Sequence, residues 1–176
     1  MSIYTKNGDQ GQSSLGDQKK RLKDELVFEV LGDLDELQAW MGKLRDDQNQ
    51  TEYHSLIIGI QKSLLAIGGF IATDQVTADF PTEKMINDLE VVIDQIQNEL
   101  PPLRNFILYG GHPLVSNIQI ARAVCRRVER HLVSYDKSCL LKPEILIYMN
   151  RLSDVLFCLS RFYSYKINIL EIKWLP

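Results

Sequence analysis

Residues 115–135 read VSNIQIARAVCRRVERHLVSY. Ile118, Ala121, Cys125, Val128 and Leu132 recur at helical spacing and form one apolar stripe. On the same helix Arg122, Arg126, Glu129 and Arg130 fall within about 100° of one another, beside that stripe. Arg127 adds a fourth guanidinium to the cluster. The segment is therefore a helix with one edge in a core and another edge strongly charged. Arginine presents a rigid fork of donors matched to phosphate and carboxylate oxygens, and it stays charged at any working pH. Cations this close together call for a counter-charge. Spacing alone leaves two readings open: a cradle for a polyphosphate, or a solvated helix face.

The same period extends along most of the chain. Helical stretches are expected over roughly 25–46, 51–73, 82–100, 113–136 and 143–168. Val27, Val30, Leu31, Leu34 and Leu37 mark the first, and Ile86, Leu89, Ile93 and Ile96 the third. Pro81, the Pro101-Pro102 pair and Pro143 fall at the joints; Pro143 suits a first helical turn, and Thr82 is a candidate N-cap. No long alternating run suggests a sheet. The expected fold is an all-α bundle of five helices in a single domain, 1–176 (the bundle over 25–168), preceded by an irregular polar loop over 1–23. The last helix, PEILIYMNRLSDVLFCLSRFYSYKI, is apolar nearly all round, which fits full burial or a subunit interface. Asn150, Asp154, Phe157 and Arg161 form a polar seam within it, for which an internal pairing such as Asp154 with Arg151 or Arg161 is one reading.

Composition narrows the function. The 176 residues are 45% hydrophobic and 24% charged, the values of an ordinary globular domain. A net charge of −3 and a pI near 5.6 lack the basic footprint of a nucleic-acid binder. A local cluster of arginines on an acidic background suits a small anionic ligand. Cys125, Cys139 and Cys158 are odd in number and form no CxxC pair, so they read as reduced, buried thiols. Leu56–Ala72 is the most membrane-like segment, but Gln61, Lys62 and three glycines interrupt it. The N-terminus shows no apolar run of a signal peptide. A cytoplasmic protein without membrane or nucleic-acid partners is expected.

Three further motifs are candidates for chemistry. Thr5-Lys6-Asn7-Gly8 through Ser13-Ser14 combines glycines, hydroxyls, amides and a lysine, as a phosphate-wrapping loop does, although no GxxxxGK[ST] occurs. Taken alone it equally fits a flexible tail. Gly32-Asp33-Leu34-Asp35-Glu36-Leu37 offers carboxylates, either to solvent or to the arginine helix through an Asp–Arg bridge. Phe106-Ile107-Leu108-Tyr109-Gly110-Gly111-His112 ends in a Gly-Gly pair that permits a tight turn or a close backbone approach. By itself Phe106 reads as core or as a ligand wall. Glu-x-x-His pairs and a nucleophile elbow are absent, and the three histidines lack ligand spacing.

Taken in order, YTKNGDQGQSS, KDELVFEVLGDLDEL, FILYGGH, ARAVCRRVER and NRLSD resemble the PduO-type ATP:cob(I)alamin (corrinoid) adenosyltransferases over about residues 3–163. The resemblance implies a homotrimer of five-helix bundles with active sites between subunits. It implies ATP, Mg²⁺ and a reduced corrinoid, with the 5′-deoxyadenosyl group passing to cobalt and tripolyphosphate leaving. It also implies a reductase and an adenosylcobalamin-dependent enzyme as protein partners. By similarity, Thr5, Lys6, Asn7, Gly8, Ser13, Ser14 and Lys23 form an N-terminal ATP clamp. Arg126, Arg127, Val128, Glu129, Arg130 and Asn150 complete the nucleotide site, with Glu129 bearing on Mg²⁺. Asp35 and Arg122 match a pair that bridges subunits near the corrinoid, and Phe106 matches an aromatic that displaces the lower axial ligand of cobalt. The chain departs from the family pattern at Tyr109, Gln119 and Gln38, where proline, histidine, and asparagine or serine are usual. A tail capping the corrinoid is expected to be short, with the chain ending at Pro176. A non-catalytic nucleotide- or corrinoid-binding module on the same bundle is the competing reading.

Overall fold

The computed structural model describes residues 4, 6, 8–47 and 52–175; Thr5 and Asn7 of the expected clamp lie outside them. The described chain runs β1 (Gln12–Ser14), β2 (Lys20–Leu22), α1 (Leu26–Arg45), α2 (His54–Thr73), α3 (Glu83–Glu99), α4 (Pro113–Cys139) and α5 (Pro143–Lys166). The five helices fall where the apolar period places them. Thr82 caps α3 by accepting from the Met85 N–H at 3.3 Å, and Pro143 occupies the first turn of α5.

The N-terminal segment departs from the expected irregular loop. β1 and β2 pair antiparallel, Ser13 opposite Arg21, and Asp17 accepts two hydrogen bonds from Arg21 beside the turn. Strands of three mostly polar residues carry no hydrophobic alternation, so nothing in the sequence announced them. The Gly16 N–H donates to the Ala72 carbonyl at 2.9 Å and docks this hairpin on the end of α2.

α4 packs against both α5 and α1, α5 against α3, and α1 against α2. The apolar stripe of α4 is the centre of the core, where Ile118, Ala121, Cys125, Val128 and Leu132 are essentially inaccessible. α5 is buried on nearly every side, including Tyr148, Leu152, Leu156 and Phe162. α2 is long and apolar enough to cross a membrane by length and composition, but Ile57, Ile60, Leu64 and Ile67 are buried in the bundle. Gln38 and Gln61 exchange side-chain-to-carbonyl hydrogen bonds that pin α1 to α2. Cys125 and Cys158 are buried, whereas Cys139, at the end of α4, is exposed rather than in the core.

Candidate active site

On α4 the arginines divide by partner. Arg127 projects toward α1, where its Nε donates to Asp33 Oδ1 at 2.9 Å and its Nη2 bonds Glu36. Asp33 is buried, and its second oxygen lies 2.8 Å from His131 Nδ1. An Asp–Arg bridge between these helices therefore exists, carried by Asp33 and Glu36. Asp35 is exposed and forms no ion pair among the described residues. Arg21, Arg45, Arg151 and Arg161 are likewise matched to carboxylates, of Asp17, Asp46, Glu90 and Glu171.

Arg122, Arg126 and Arg130 differ: no ion pair joins them to any described carboxylate. Arg126 and Arg130 are exposed, and Arg130 Nη1 donates to the Arg126 carbonyl at 3.0 Å. Nearby, Asn150 Nδ2 donates to Glu129 Oε1 at 2.9 Å, and Arg151 holds the other end of that carboxamide while bonding Glu90. Glu129 and Asn150, chosen from separate motifs, are thus brought together. The Val128 side chain is fully buried and packs in the core, so any part it has in the nucleotide site falls to its backbone. A groove of about 540 Å³ runs between α1 and α4 past Glu36, Tyr109, Gln119, Ile120, Arg127 and Arg130.

The N-terminal elements cluster separately. Lys23 Nζ donates to the Gly8 carbonyl at 3.0 Å, and its N–H donates to the Gly11 carbonyl at 2.9 Å. Lys6 and Ser14 are exposed and Ser13 is half-buried. Among the described residues, no hydrogen bond or ion pair joins Lys6, Gly8, Ser13, Ser14 or Lys23 to Arg126, Glu129, Arg130 or Asn150. A cavity of about 560 Å³ behind the hairpin, near Leu15, Ile71 and Tyr135, contains Arg21, but Asp17 already neutralises it.

Phe106 is 79% exposed, which excludes a core role. The segment that carries it is held by the C-terminal tail. Leu108 donates to the Ile172 carbonyl and Trp174 to the Phe106 carbonyl, each at 2.8 Å, and the Trp174 ring meets Phe106 edge-on at 6.2 Å. Gly110 and Gly111 have φ of 131° and 97°, and a Cβ on Gly111 would come within 2.5 Å of Ile169. Arg161, nearly inaccessible, fastens the tail through Glu171 at 2.9 Å and also donates to the Pro101 carbonyl. Asp154, the pairing first considered for Arg161, is exposed. The tail was missed as a structural element, although Leu170, Ile172 and Trp174 alternate as a strand does.

The cobalamin adenosyltransferase family profile matches residues 3–163. The chain belongs to the cobalamin adenosyltransferase family. It is an enzyme, one that adenosylates corrinoids using ATP. The corrinoid adenosyltransferase of Bacillus subtilis (strain 168) is 35% identical over 179 residues, covering 99% of this chain and 92% of that protein. Its human counterpart, corrinoid adenosyltransferase MMAB, is 37% identical over 174 residues, covering 93% of this chain and 69% of that protein. A variant PduO-type ATP:corrinoid adenosyltransferase from Lactobacillus reuteri, solved with cobalamin and ATP, superposes with a TM-score of 0.92. It is 29% identical and covers 99% of this chain and all of its own.

Proposed function

We propose that the unpaired face of α4 is the polyphosphate half of the active site and that the N-terminal clamp of a neighbouring subunit supplies the other half. Among the described residues five arginines have a carboxylate partner and four do not; Arg104 stands alone in a loop, whereas the other three share one face of α4, and that clustering carries the reading. Like charges this close on one helix face repel one another modestly, and an external polyanion would turn that repulsion into attraction. Among the described residues no bond joins the clamp to this face within one chain, which supports a site completed in a homotrimer.

The reaction needs no side-chain nucleophile, because the reduced cobalt of the corrinoid attacks the C5′ carbon of ATP. The chain has two tasks: to align the two substrates and to stabilise charge growing on the departing tripolyphosphate. Arg126 and Arg130 are placed for the second, with Lys6, Lys23, Ser13 and Ser14 wrapping the nucleotide from the clamp. Arg127 supports them indirectly, since Asp33 and Glu36 cancel its charge and fix α1 against α4. Asn150 orients Glu129.

The donor set also suits Mg²⁺. Among the described residues no group of three or more histidine, cysteine or carboxylate side chains could hold a metal. Mg²⁺ commonly rests on one or two carboxylates together with substrate phosphates, and Glu129 would provide the carboxylate. When bound there it would neutralise charge on the phosphate oxygens. Phe106, exposed and braced from behind, supplies an apolar wall toward the lower cobalt face. Asp35, exposed and unpaired, and Arg122 would join across subunits beside the corrinoid. A reductase supplying electrons and an enzyme consuming the adenosylated product complete the expected setting in the cytoplasm.

The test is anaerobic incubation with Co(I) corrinoid and Mg-ATP, following the absorbance of the adenosyl–cobalt product. Product formation is expected. ATP binding without product would instead favour a delivery module.

A further inference from the structure

Among the unpaired α4 arginines, Arg122 is the one held by side chains of other residues. Its Nε donates to Gln119 Oε1 at 2.8 Å, and its Nη2 donates to Tyr109 Oη at 2.7 Å. The Tyr109 and Phe157 rings flank the guanidinium, with its carbon 5.1 and 5.7 Å from their centroids. Gln119 is itself fixed from behind: it is 5% exposed, and its Nε2 donates to Ser160 Oγ at 2.6 Å. Ser160 Oγ in turn donates to the Phe157 carbonyl at 2.8 Å. One network therefore ties α5, α4 and the segment before the Gly-Gly turn to a single guanidinium.

Every partner in that network is neutral. Arginine has five N–H donors, and two are used here, so three remain for another acceptor. Arg127 shows the alternative on the same helix: there carboxylates hold the side chain and also cancel its charge. Fixing a long side chain in advance removes most of the ordering cost of a later contact. Fixing it with a phenol and a carboxamide leaves the full charge available to that contact.

We propose that Tyr109 and Gln119 are positioning residues for Arg122: they hold its guanidinium extended and, being neutral, reserve its charge for an acceptor outside this chain. The proposal rests on the reading of Arg122 as a residue of the corrinoid side and subunit contact. It makes positions 109 and 119 determinants of corrinoid use, independent of ATP.

Steady-state kinetics with Co(I) corrinoid and Mg-ATP test it. Tyr109→Phe removes one oxygen from a half-exposed ring and is expected to raise the corrinoid KM about fivefold, with the ATP KM and Tm unchanged. Gln119→Glu keeps a partner for Nε but adds a charge, and should raise the corrinoid KM about tenfold; a lower Tm is also expected, because the buried Nε2 donor to Ser160 is lost. Tyr109→Phe combined with Arg122→Ala should be no worse than Arg122→Ala alone. A normal corrinoid KM in Tyr109→Phe, or an equal rise in both KM values, overturns the proposal. If Gln119→Glu fails to fold, Tyr109→Phe decides alone. Should Arg122→Ala itself leave corrinoid use unchanged, the reading beneath the proposal is wrong, a result distinct from the others.

Discussion

The proposed site puts the two substrates on different residues, Arg126 and Phe106, and substitution can separate them. Arg126 is exposed on α4 and contributes no core packing, so Arg126→Ala should leave Tm within about 1 °C of wild type. Removing a donor that meets growing phosphate charge typically costs about 10²–10³ in kcat, and that loss is expected here. An active Arg126→Ala enzyme would refute the cradle. Phe106→Ala deletes an exposed ring whose only ring partner among the described residues is Trp174. It should slow transfer at least tenfold while leaving ATP affinity, measured by calorimetry, unchanged. Equal losses of ATP affinity and transfer would make Phe106 a packing residue. The sequence alone could not choose between core and ligand wall at this position, because an aromatic before a glycine pair looks the same in both. Its 79% exposure removes the core reading within the single chain, and the Phe106→Ala kinetics test the ligand-wall reading.

At the level of elements, periodicity sufficed wherever an apolar face repeats over several turns. α1, α3, α4 and α5 each set such a face into one core, and their limits fall within a few residues of expectation. It failed where structure rests on backbone pairing or on a single anchor. The β1–β2 hairpin has no apolar face of its own, and the tail over the Phe106 segment depends on Arg161 finding Glu171. Neither partner choice is written in local spacing. Asp33 was likewise indistinguishable from Asp35 in the sequence; only the crossing of α1 and α4 turns one inward to Arg127 and leaves the other outside. Within α5, Tyr148 gives a pH test of the packing. Burial pushes its phenol up to about 12, from an ordinary value of about 10, because the ionised form is disfavoured inside the bundle. A raised folded-state value contributes stability that is fully present below about pH 10. That contribution is lost as pH rises from about 10 through 12, because the unfolded chain releases its proton first. Between pH 9 and 11.5, urea denaturation should show wild type losing about 2 kcal/mol more than Tyr148→Phe. Parallel losses would mean that Tyr148 is hydrated in the folded protein.

The whole molecule poses the question of assembly. Among the described residues, a single bundle presents an unpaired Asp35 on α1, an Arg122 on α4 without a carboxylate partner, and a proposed clamp with no bond to the arginine face. Solvation accounts for each of these singly, and a second copy completing the proposed site accounts for all three together. Light scattering is therefore expected to report a trimer, and a stable, fully active monomer would contradict shared sites. Charge exchange probes the proposed contact more directly. Arg122→Asp and Asp35→Arg should each place like charges opposite one another, weakening assembly and raising the corrinoid KM at least tenfold. In the double variant the charges are complementary again across the interface, so trimer formation should return before full activity does. Recovery of activity is expected to be partial, because Tyr109 and Gln119 would now face an aspartate where they had held a guanidinium. Additive losses in the double variant would show that the two residues act independently and that the subunit contact lies elsewhere.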